Sequence, residues 1–167
     1  MGGLLDVLAR PSERRWLALA GFLLATFLTG GISFLFTTPA IPGWYATLAK
    51  PSFTPPAAIF APVWTLLYFL MAIAAWRVWV RPSSTIRSTA LMLFWIQLVI
   101  NFAWSPIFFW QRMIGLALVV IVALWFAIVL TCLQFFRACR VAGSLFVPYL
   151  AWVSFAVILN LEIWRLN

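Results

Sequence analysis

The chain has 167 residues, 66% of them hydrophobic and 8% charged, with a mean hydropathy of +1.09. A soluble domain of this length is about half apolar and about a quarter charged, so the composition excludes an ordinary soluble protein and indicates that lipid is the solvent. The sequence contains no histidine. This excludes a histidine metal site, a histidine-ligated haem and a Ser–His or Cys–His nucleophile. We expect one compact membrane domain without a metal site or an obligatory cofactor.

The formal net charge is +8, from eleven Lys and Arg residues against Asp6, Glu13 and Glu162. In a soluble protein this excess would indicate a nucleic-acid partner. Here the basic residues are scattered over the ends of apolar segments, which is how membrane proteins set their orientation. We therefore expect no nucleic acid among the partners and take membrane lipid as the environment.

Five apolar segments are long enough to cross a bilayer, which takes about 20 helical residues. Residues 1–15 are polar and predict a cytoplasmic leader, and residues 16–167 predict a single transmembrane domain. The predicted spans are 16–36, 57–80, 88–110, 113–136 and 143–164, with a long loop at 37–56. The fold class is therefore an all-α membrane protein, a five-transmembrane-helix bundle.

The distribution of basic residues predicts the orientation of this bundle. If the five spans alternate in direction, eight of the eleven Lys and Arg residues fall on the side of the N-terminus. The positive-inside rule then makes the N-terminus cytoplasmic. A bacterial inner membrane is the expected location, with the outer membrane as the alternative.

The loop at 37–56 is rich in proline and leads directly into the second span. Five of the ten prolines of the chain lie between residues 39 and 56. Proline has no backbone donor and biases the preceding residue away from helix. We predict an irregular, stiff segment that forms a lid over a site inside the membrane.

Polar residues recur on one face of the third span. Gln97, Asn101 and Ser105 are four residues apart, with Trp104 beside them. Amides inside a membrane either bond one helix to another or line a cavity. Taken one at a time, these residues fit the first role equally well.

The depth of several residues favours a cavity for the set. With alternating spans, Trp64, Asn101, Trp104 and Ala156 fall in the outer half of the membrane and Trp152 near its middle. The proline-rich loop lies over the same half. Aromatic walls with one or two amides suit a flat, large and mostly apolar ligand.

Lys50 is the only lysine of the chain and lies in the predicted lid. At the rim of such a cavity it would neutralise a ligand carboxylate. Its alternative role is a solvated surface charge.

Five motifs, in order along the chain, carry a resemblance to a known family. They are WYATLAKPSFTPP (44–56), PVWTLLYFLM (62–71), NFAWSPIFF (101–109), VPYLAWVSFA (147–156) and LNLEIWRLN (159–167). With these motifs the chain resembles the bacterial tryptophan-rich sensory proteins, relatives of the mitochondrial translocator protein, which is also called the peripheral benzodiazepine receptor. The resemblance covers roughly residues 16–167.

The resemblance implies a five-helix bundle, usually a homodimer, that binds porphyrins such as protoporphyrin IX and haem. It also implies binding of isoquinoline and benzodiazepine-type ligands, and of sterols in animal members. Carried over by motif, the ligand-binding residues are Tyr45, Pro55, Trp64, Asn101, Trp152 and Ala156, beside Trp104 from the depth argument.

The chain departs from the family pattern in two places. Phe53 stands where a tryptophan usually precedes the TPP of the lid. Leu161 and Glu162 stand where animal members carry tyrosines of a cholesterol-recognition motif, a pattern that is hypothesis-grade at best. We therefore expect no tight sterol binding.

Several functions stay open at this point. The first is a receptor for tetrapyrroles that acts as a sensor, carrier or scavenger. The second is an enzyme that degrades porphyrin under light, for which the resemblance makes Trp64 and Trp152 the important residues. A sterol or lipid transporter, and a structural bundle without a ligand, are further alternatives.

A ridge of small residues bears on dimerisation. Gly21, Ala25 and Thr29 recur at four-residue spacing on the first span. Such ridges let helices approach closely, either between two copies or within one.

Overall fold

The protein is described by a computed structural model that covers residues 11–167, with side chains from residue 13. Over this range it is helical, and no strand occurs in it. The five long helices are α1 (Pro11–Thr37), α2 (Ala57–Trp79), α3 (Thr85–Ser105), α4 (Ile114–Ala138) and α5 (Arg140–Leu166). Each is long and apolar enough to cross a membrane, which confirms the predicted five-helix membrane bundle.

Two contacts at one end of the bundle join the start of α1 to the end of α2, and the α2–α3 connection to the α4–α5 connection. The Trp76 indole Nε1 donates to the carbonyl of Arg15 at 2.9 Å. The Arg81 Nη2 donates to the Cys139 Sγ at 3.2 Å, which joins the α2–α3 connection to the α4–α5 connection. The helices therefore run alternately up and down.

The opposite end carries the loop between α1 and α2, the α3–α4 connection and the end of α5. The side chain of Asn167 is hydrogen-bonded to the backbone of Ala49 in this loop. The Arg112 guanidinium lies 5.9 Å from the centre of the Trp44 ring. All three segments thus cover the same end of the bundle.

Helix α1 begins earlier than the predicted span. It starts at Pro11, five residues before Trp16, so residues 11–15 of the predicted leader are helical. Proline is favoured at the first helical position, and Glu13 in the first turn complements the helix dipole. The rest of the predicted leader, residues 1–10, lies outside the described residues.

Helix α3 also differs from its prediction at both ends. It begins at Thr85, because the Ser84 hydroxyl accepts the Arg87 N–H at 3.2 Å and caps the helix. At its other end the α-helix stops at Ser105 and continues as a π-helical turn, Pro106–Trp110. Pro106 cannot donate to the preceding turn, and such π-turns are frequent at functional sites.

The prediction of an irregular loop at 37–56 is wrong for its first part. A 3₁₀ turn occupies Thr38–Ala40 and a helical turn occupies Trp44–Thr47. Proline is compatible with the first turn of a helix, and Pro39 occupies that position in the 3₁₀ turn. From Leu48 to Pro56 the chain is non-helical, as predicted.

Close packing brings α1 and α2 together. A Cβ atom added at Gly30 would lie 2.5 Å from the Tyr68 ring, so only glycine allows this approach. Small residues of α2, namely Ala72, Ala74 and Ala75, are fully buried. Because α2 packs so closely, the hydroxyl of Tyr68 is held deep inside the bundle.

Candidate functional site

A chain of hydrogen bonds crosses the middle of the bundle. The Tyr68 hydroxyl donates to Asn101 Oδ1 at 2.9 Å. The Asn101 Nδ2 donates to the Tyr149 hydroxyl at 2.8 Å, and that hydroxyl donates to Gln97 Oε1 at 3.0 Å. All four side chains are buried. This amide network (Tyr68, Gln97, Asn101, Tyr149) joins α2, α3 and α5.

The amide network shows what Gln97 and Asn101 of the polar stripe on α3 do in this structure. Both Gln97 and Asn101 bond helix to helix. In lipid their polar groups have no water to bond to, and the tyrosine hydroxyls pair with both polar atoms of the Asn101 amide and with the Oε1 of Gln97. The Gln97 Nε2 is buried and has no acceptor within the part of the chain that the structure describes.

The sequence argument missed Tyr68 and Tyr149 as the partners of these amides. A signal was present, because a tyrosine deep in an apolar span carries a hydroxyl that needs a partner. The sequence did not indicate which amide each hydroxyl would meet.

Trp64 lies directly beside this network. Its ring stacks on Tyr68, with ring centres 5.3 Å apart, and meets Tyr149 edge-on at 6.2 Å. One turn nearer the loop, Phe60 of α2 meets Trp152 of α5 at 5.7 Å. The structure therefore places Trp64 beside the two tyrosines that bond Asn101, and Trp152 at the same α2–α5 contact one turn nearer the loop.

The loop covers this face through Phe53. Trp152 contacts Phe155 at 5.7 Å, and Phe155 contacts Phe53 at 6.2 Å. Phe53, Phe155, Trp152, Phe60 and Trp64 thus form an aromatic row from the loop towards the amide network. Phe53 stands where the family usually has a tryptophan, so the loop presents an aromatic ring to this face.

The tryptophans inside the bundle differ in what their indole N–H groups do. Trp104 donates to Asn160 Oδ1 at 3.1 Å, and Trp125 donates to the Ser154 hydroxyl at 2.8 Å. These two are committed to helix–helix bonds. The indole N–H groups of Trp64 and Trp152 donate to no other residue in the described range 13–167.

Tyr45 and Trp104 lie in a neighbouring cluster rather than in the aromatic row. Trp104 stacks on Phe108 of the π-turn at 5.0 Å, and Tyr45 approaches the same ring at 6.2 Å. Phe60 and Phe155 pack against this cluster as well, so the two groups are continuous.

The last two predicted ligand-binding residues are partly buried at the same end. Pro55 stands two residues before the start of α2, and Ala156 packs against the main core from α5. The predicted set therefore divides into an inner group at the aromatic row and an outer group under the loop.

Lys50 is held by the loop itself. Its ammonium lies 4.7 Å from the centre of the Tyr45 ring and donates to the carbonyl of Leu48 at 3.1 Å. Burial raises the pKa of the Tyr45 phenol, so the ring stays uncharged at neutral pH and attracts the ammonium through its π face. The positive charge is thus fixed at the loop end of the site.

Asn167 fastens the loop to α5. Its Nδ2 donates to the Ala49 carbonyl and its Oδ1 accepts the Ala49 N–H, both at 3.0 Å. The Nδ2 also donates to the Ile163 carbonyl at 2.8 Å, which orients the amide. The sequence argument did not find this pairing, because nothing local relates two residues 118 positions apart.

Comparison with known proteins identifies the family. The model of the TspO/MBR family matches residues 22–165. The chain belongs to this family. It is 44% identical to the tryptophan-rich protein TspO of Chlorobaculum tepidum, over 78% of this chain and 84% of that protein. This confirms the resemblance drawn from the motifs.

Relatives of the family occur in distant organisms. The tryptophan-rich protein TspO of Archaeoglobus fulgidus is 38% identical over 90% of this chain and 97% of its own length. The human translocator protein is 36% identical over 91% of each chain. The family match over residues 22–165 includes the amide network and the aromatic row, so both lie within the family domain.

We predict that Tyr149→Phe destabilises the bundle more than Tyr68→Phe does. Tyr149→Phe removes two hydrogen bonds and leaves atoms of two buried amides, Asn101 and Gln97, without a partner. We expect the free energy of unfolding to fall by about 2 kcal/mol. Tyr68→Phe removes one bond, at a cost of about 1 kcal/mol. Unfolding of the purified protein by a denaturing detergent measures both. Equal losses would contradict the central role of the Tyr149 hydroxyl.

We predict that Asn167→Ala loosens the loop without unfolding the bundle. Amide hydrogen exchange at Ala49 should accelerate about tenfold, because its N–H loses its acceptor. Asn167→Asp is the matched variant, since it keeps an oxygen for the Ala49 N–H and loses only the donor. Unchanged exchange at Ala49 in Asn167→Ala would show that other contacts hold the loop.

Proposed function

We propose that the protein binds tetrapyrroles, protoporphyrin IX or haem, in the membrane and acts as a sensor, carrier or scavenger of them. The tetrapyrrole macrocycle would lie against the aromatic row beneath the loop. Trp64 and Trp152 would contact its faces or its edges. The observation that carries the proposal is that these two indoles share one face and donate to no other described residue.

The chemistry of the row supports a flat, conjugated ligand. Offset stacking and edge-to-face contacts with indole and phenyl rings favour such a ring over a flexible chain. Tyr45, Pro55, Trp104 and Ala156 would border the ligand from the loop end.

The charges at the loop end support acidic substituents on that ligand. Lys50 and Arg112 both lie there, each against an aromatic ring of the loop. Their ammonium and guanidinium groups would meet the propionates of a porphyrin. Because the chain has no histidine, the ring face and the propionates, rather than a histidine–iron bond, would supply recognition.

A titration with protoporphyrin IX tests this proposal. We expect saturable quenching of tryptophan fluorescence in the dark, and about tenfold weaker binding in Trp64→Phe and in Trp152→Phe. Trp110→Phe is the control, because Trp110 is 69% exposed and stands outside the row. Lys50→Gln should weaken binding of the dicarboxylic porphyrin but not of its dimethyl ester.

The same titration separates the alternatives. Loss of the pigment under light that disappears in Trp64→Phe or Trp152→Phe would favour a porphyrin-degrading enzyme over a binding protein. Equal quenching in the wild type, Trp64→Phe and Trp110→Phe would contradict binding at the aromatic row. Competition by an isoquinoline or benzodiazepine-type ligand is expected, and competition by a sterol is not.

Orientation belongs to the same proposal. The basic residues concentrate at the end that carries the start of α1, which supports a cytoplasmic N-terminus in a bacterial inner membrane. The aromatic row would then open towards the outer face.

Homodimerisation stays a prediction. On α1, Gly21 is exposed and Ala25 half-buried, so the ridge is not filled by the described helices.

A further inference from the structure

A groove opens at the end of the bundle opposite to the aromatic row. It has a cavity volume of about 420 Å³ and lies between the start of α1, the end of α2 and the first half of α3. Its walls include Leu17, Gly21, Phe22, Trp79 and Trp95, and Arg14 stands among them. The tetrapyrrole proposal uses none of these residues.

The walls of the groove suit a hydrocarbon chain. Phe22 stacks on Trp95 with ring centres 5.8 Å apart, which fixes one wall. At Gly21 an added Cβ atom would meet nothing within 4 Å, so this position lies open. From Arg14 to Gly21 the helix rises about 10 Å, so the groove reaches from the end of the bundle into the depth of the hydrocarbon.

The charged groups in the lining of the groove and against it are cations, while Glu13, which precedes Arg14, stands outside the lining. Arg14 lies in its lining, and the Arg87 guanidinium lies 5.6 Å from the ring centre of Trp79, another lining residue. The Arg87 Nε is buried and has no partner among residues 13–167. No acidic side chain belongs to the lining within the described range. The planar fork of arginine matches a phosphate group, and Trp79 is a typical residue of the headgroup level.

We propose that this groove binds an anionic phospholipid, whose phosphate contacts Arg14 and Arg87 and whose acyl chain lies along Gly21 against Phe22 and Trp95. The positive-inside orientation puts the groove in the cytoplasmic leaflet, where anionic headgroups are attracted by basic residues. A zwitterionic lipid has the same acyl chains, but its headgroup would place a positive charge next to Arg14 and Arg87 and is therefore disfavoured.

Gly21 also belongs to the α1 ridge that bears on dimerisation, but a second copy of the chain fits the groove less well than a lipid does. A two-fold contact would bring the same patch of both copies together. With the two-fold axis along the membrane normal, Arg14 and Arg87 of one copy would lie at the same depth as those of the other, and the like charges disfavour that contact. An anionic lipid neutralises the two arginines instead.

Native mass spectrometry of the full chain in detergent tests this proposal. Dioleoyl phosphatidylglycerol and dioleoyl phosphatidylcholine are compared, because they share their acyl chains and differ in charge. We expect the wild type to retain phosphatidylglycerol preferentially. Each of Arg14→Gln and Arg87→Gln should reduce this preference about fivefold. Arg140→Gln is the charge control, since Arg140 is exposed at the same end and outside the groove.

A second variant tests the acyl-chain part separately. Gly21→Leu fills the open position and should reduce retention of both lipids. Gly31→Leu is its control, because Gly31 lies on the same helix, is also open and stands outside the groove. Circular dichroism checks that each variant keeps its helical content.

Two results would overturn the proposal. One is equal retention of the two lipids by the wild type and by the arginine variants. The other is a change from dimer to monomer in Gly21→Leu with unchanged lipid retention, which would make the groove an interface between copies. Protoporphyrin binding is measured in a separate titration. A negative result for the lipid groove therefore does not contradict tetrapyrrole binding, and the reverse also holds.

Discussion

The hydroxyl of Tyr149, held between the amides of Asn101 and Gln97, is the interaction on which the rest of the structure depends. The hydrocarbon core offers no water, so each amide must find its partner inside the protein. The Tyr149 hydroxyl serves both amides at once, as acceptor from Asn101 and donor to Gln97, and Asn101 in turn accepts from Tyr68. This fixes how α2 and α5 are rotated about their axes relative to α3. Trp64 and Trp152 face each other's helices as a consequence.

Apolar contact alone would not specify this arrangement. Lipid tails are as apolar as leucine, so helices gain little by hiding leucines from them, and large side chains such as Leu24 and Val119 face outwards, 61% and 64% exposed. Close approach at Gly30, aromatic pairs and interhelical hydrogen bonds have to select the packing. Among the described residues 13–167, the indole N–H groups of Trp64 and Trp152 have no acceptor, whereas those of Trp104 and Trp125 donate to side chains of α5.

Much of the fold was predictable from the sequence, because span length and apolar composition are local properties. Five helices followed from them, and the motifs from Trp44 to Asn167 indicated the family. The ends of helices were less predictable, since the cap at Ser84 and the break at Pro106 depend on backbone geometry rather than on hydropathy. Pairings over long sequence distances were not predictable at all. Tyr68 with Asn101, and Asn167 with Ala49, become neighbours only once the bundle has formed.

The two ends of the bundle therefore differ in chemistry: one presents an aromatic row beneath a fastened loop, and the other an arginine-edged groove. The amide network holds Trp64 and Trp152 at one contact between α2 and α5, where we propose that a flat ring binds. An experimental structure of the protein with protoporphyrin IX in a lipid nanodisc tests this most directly. We expect the macrocycle in contact with both indoles, at about 4 Å, beneath the loop and with the Tyr149 hydrogen bonds intact. A macrocycle bound on the lipid-facing surface, away from Trp64 and Trp152, would contradict it.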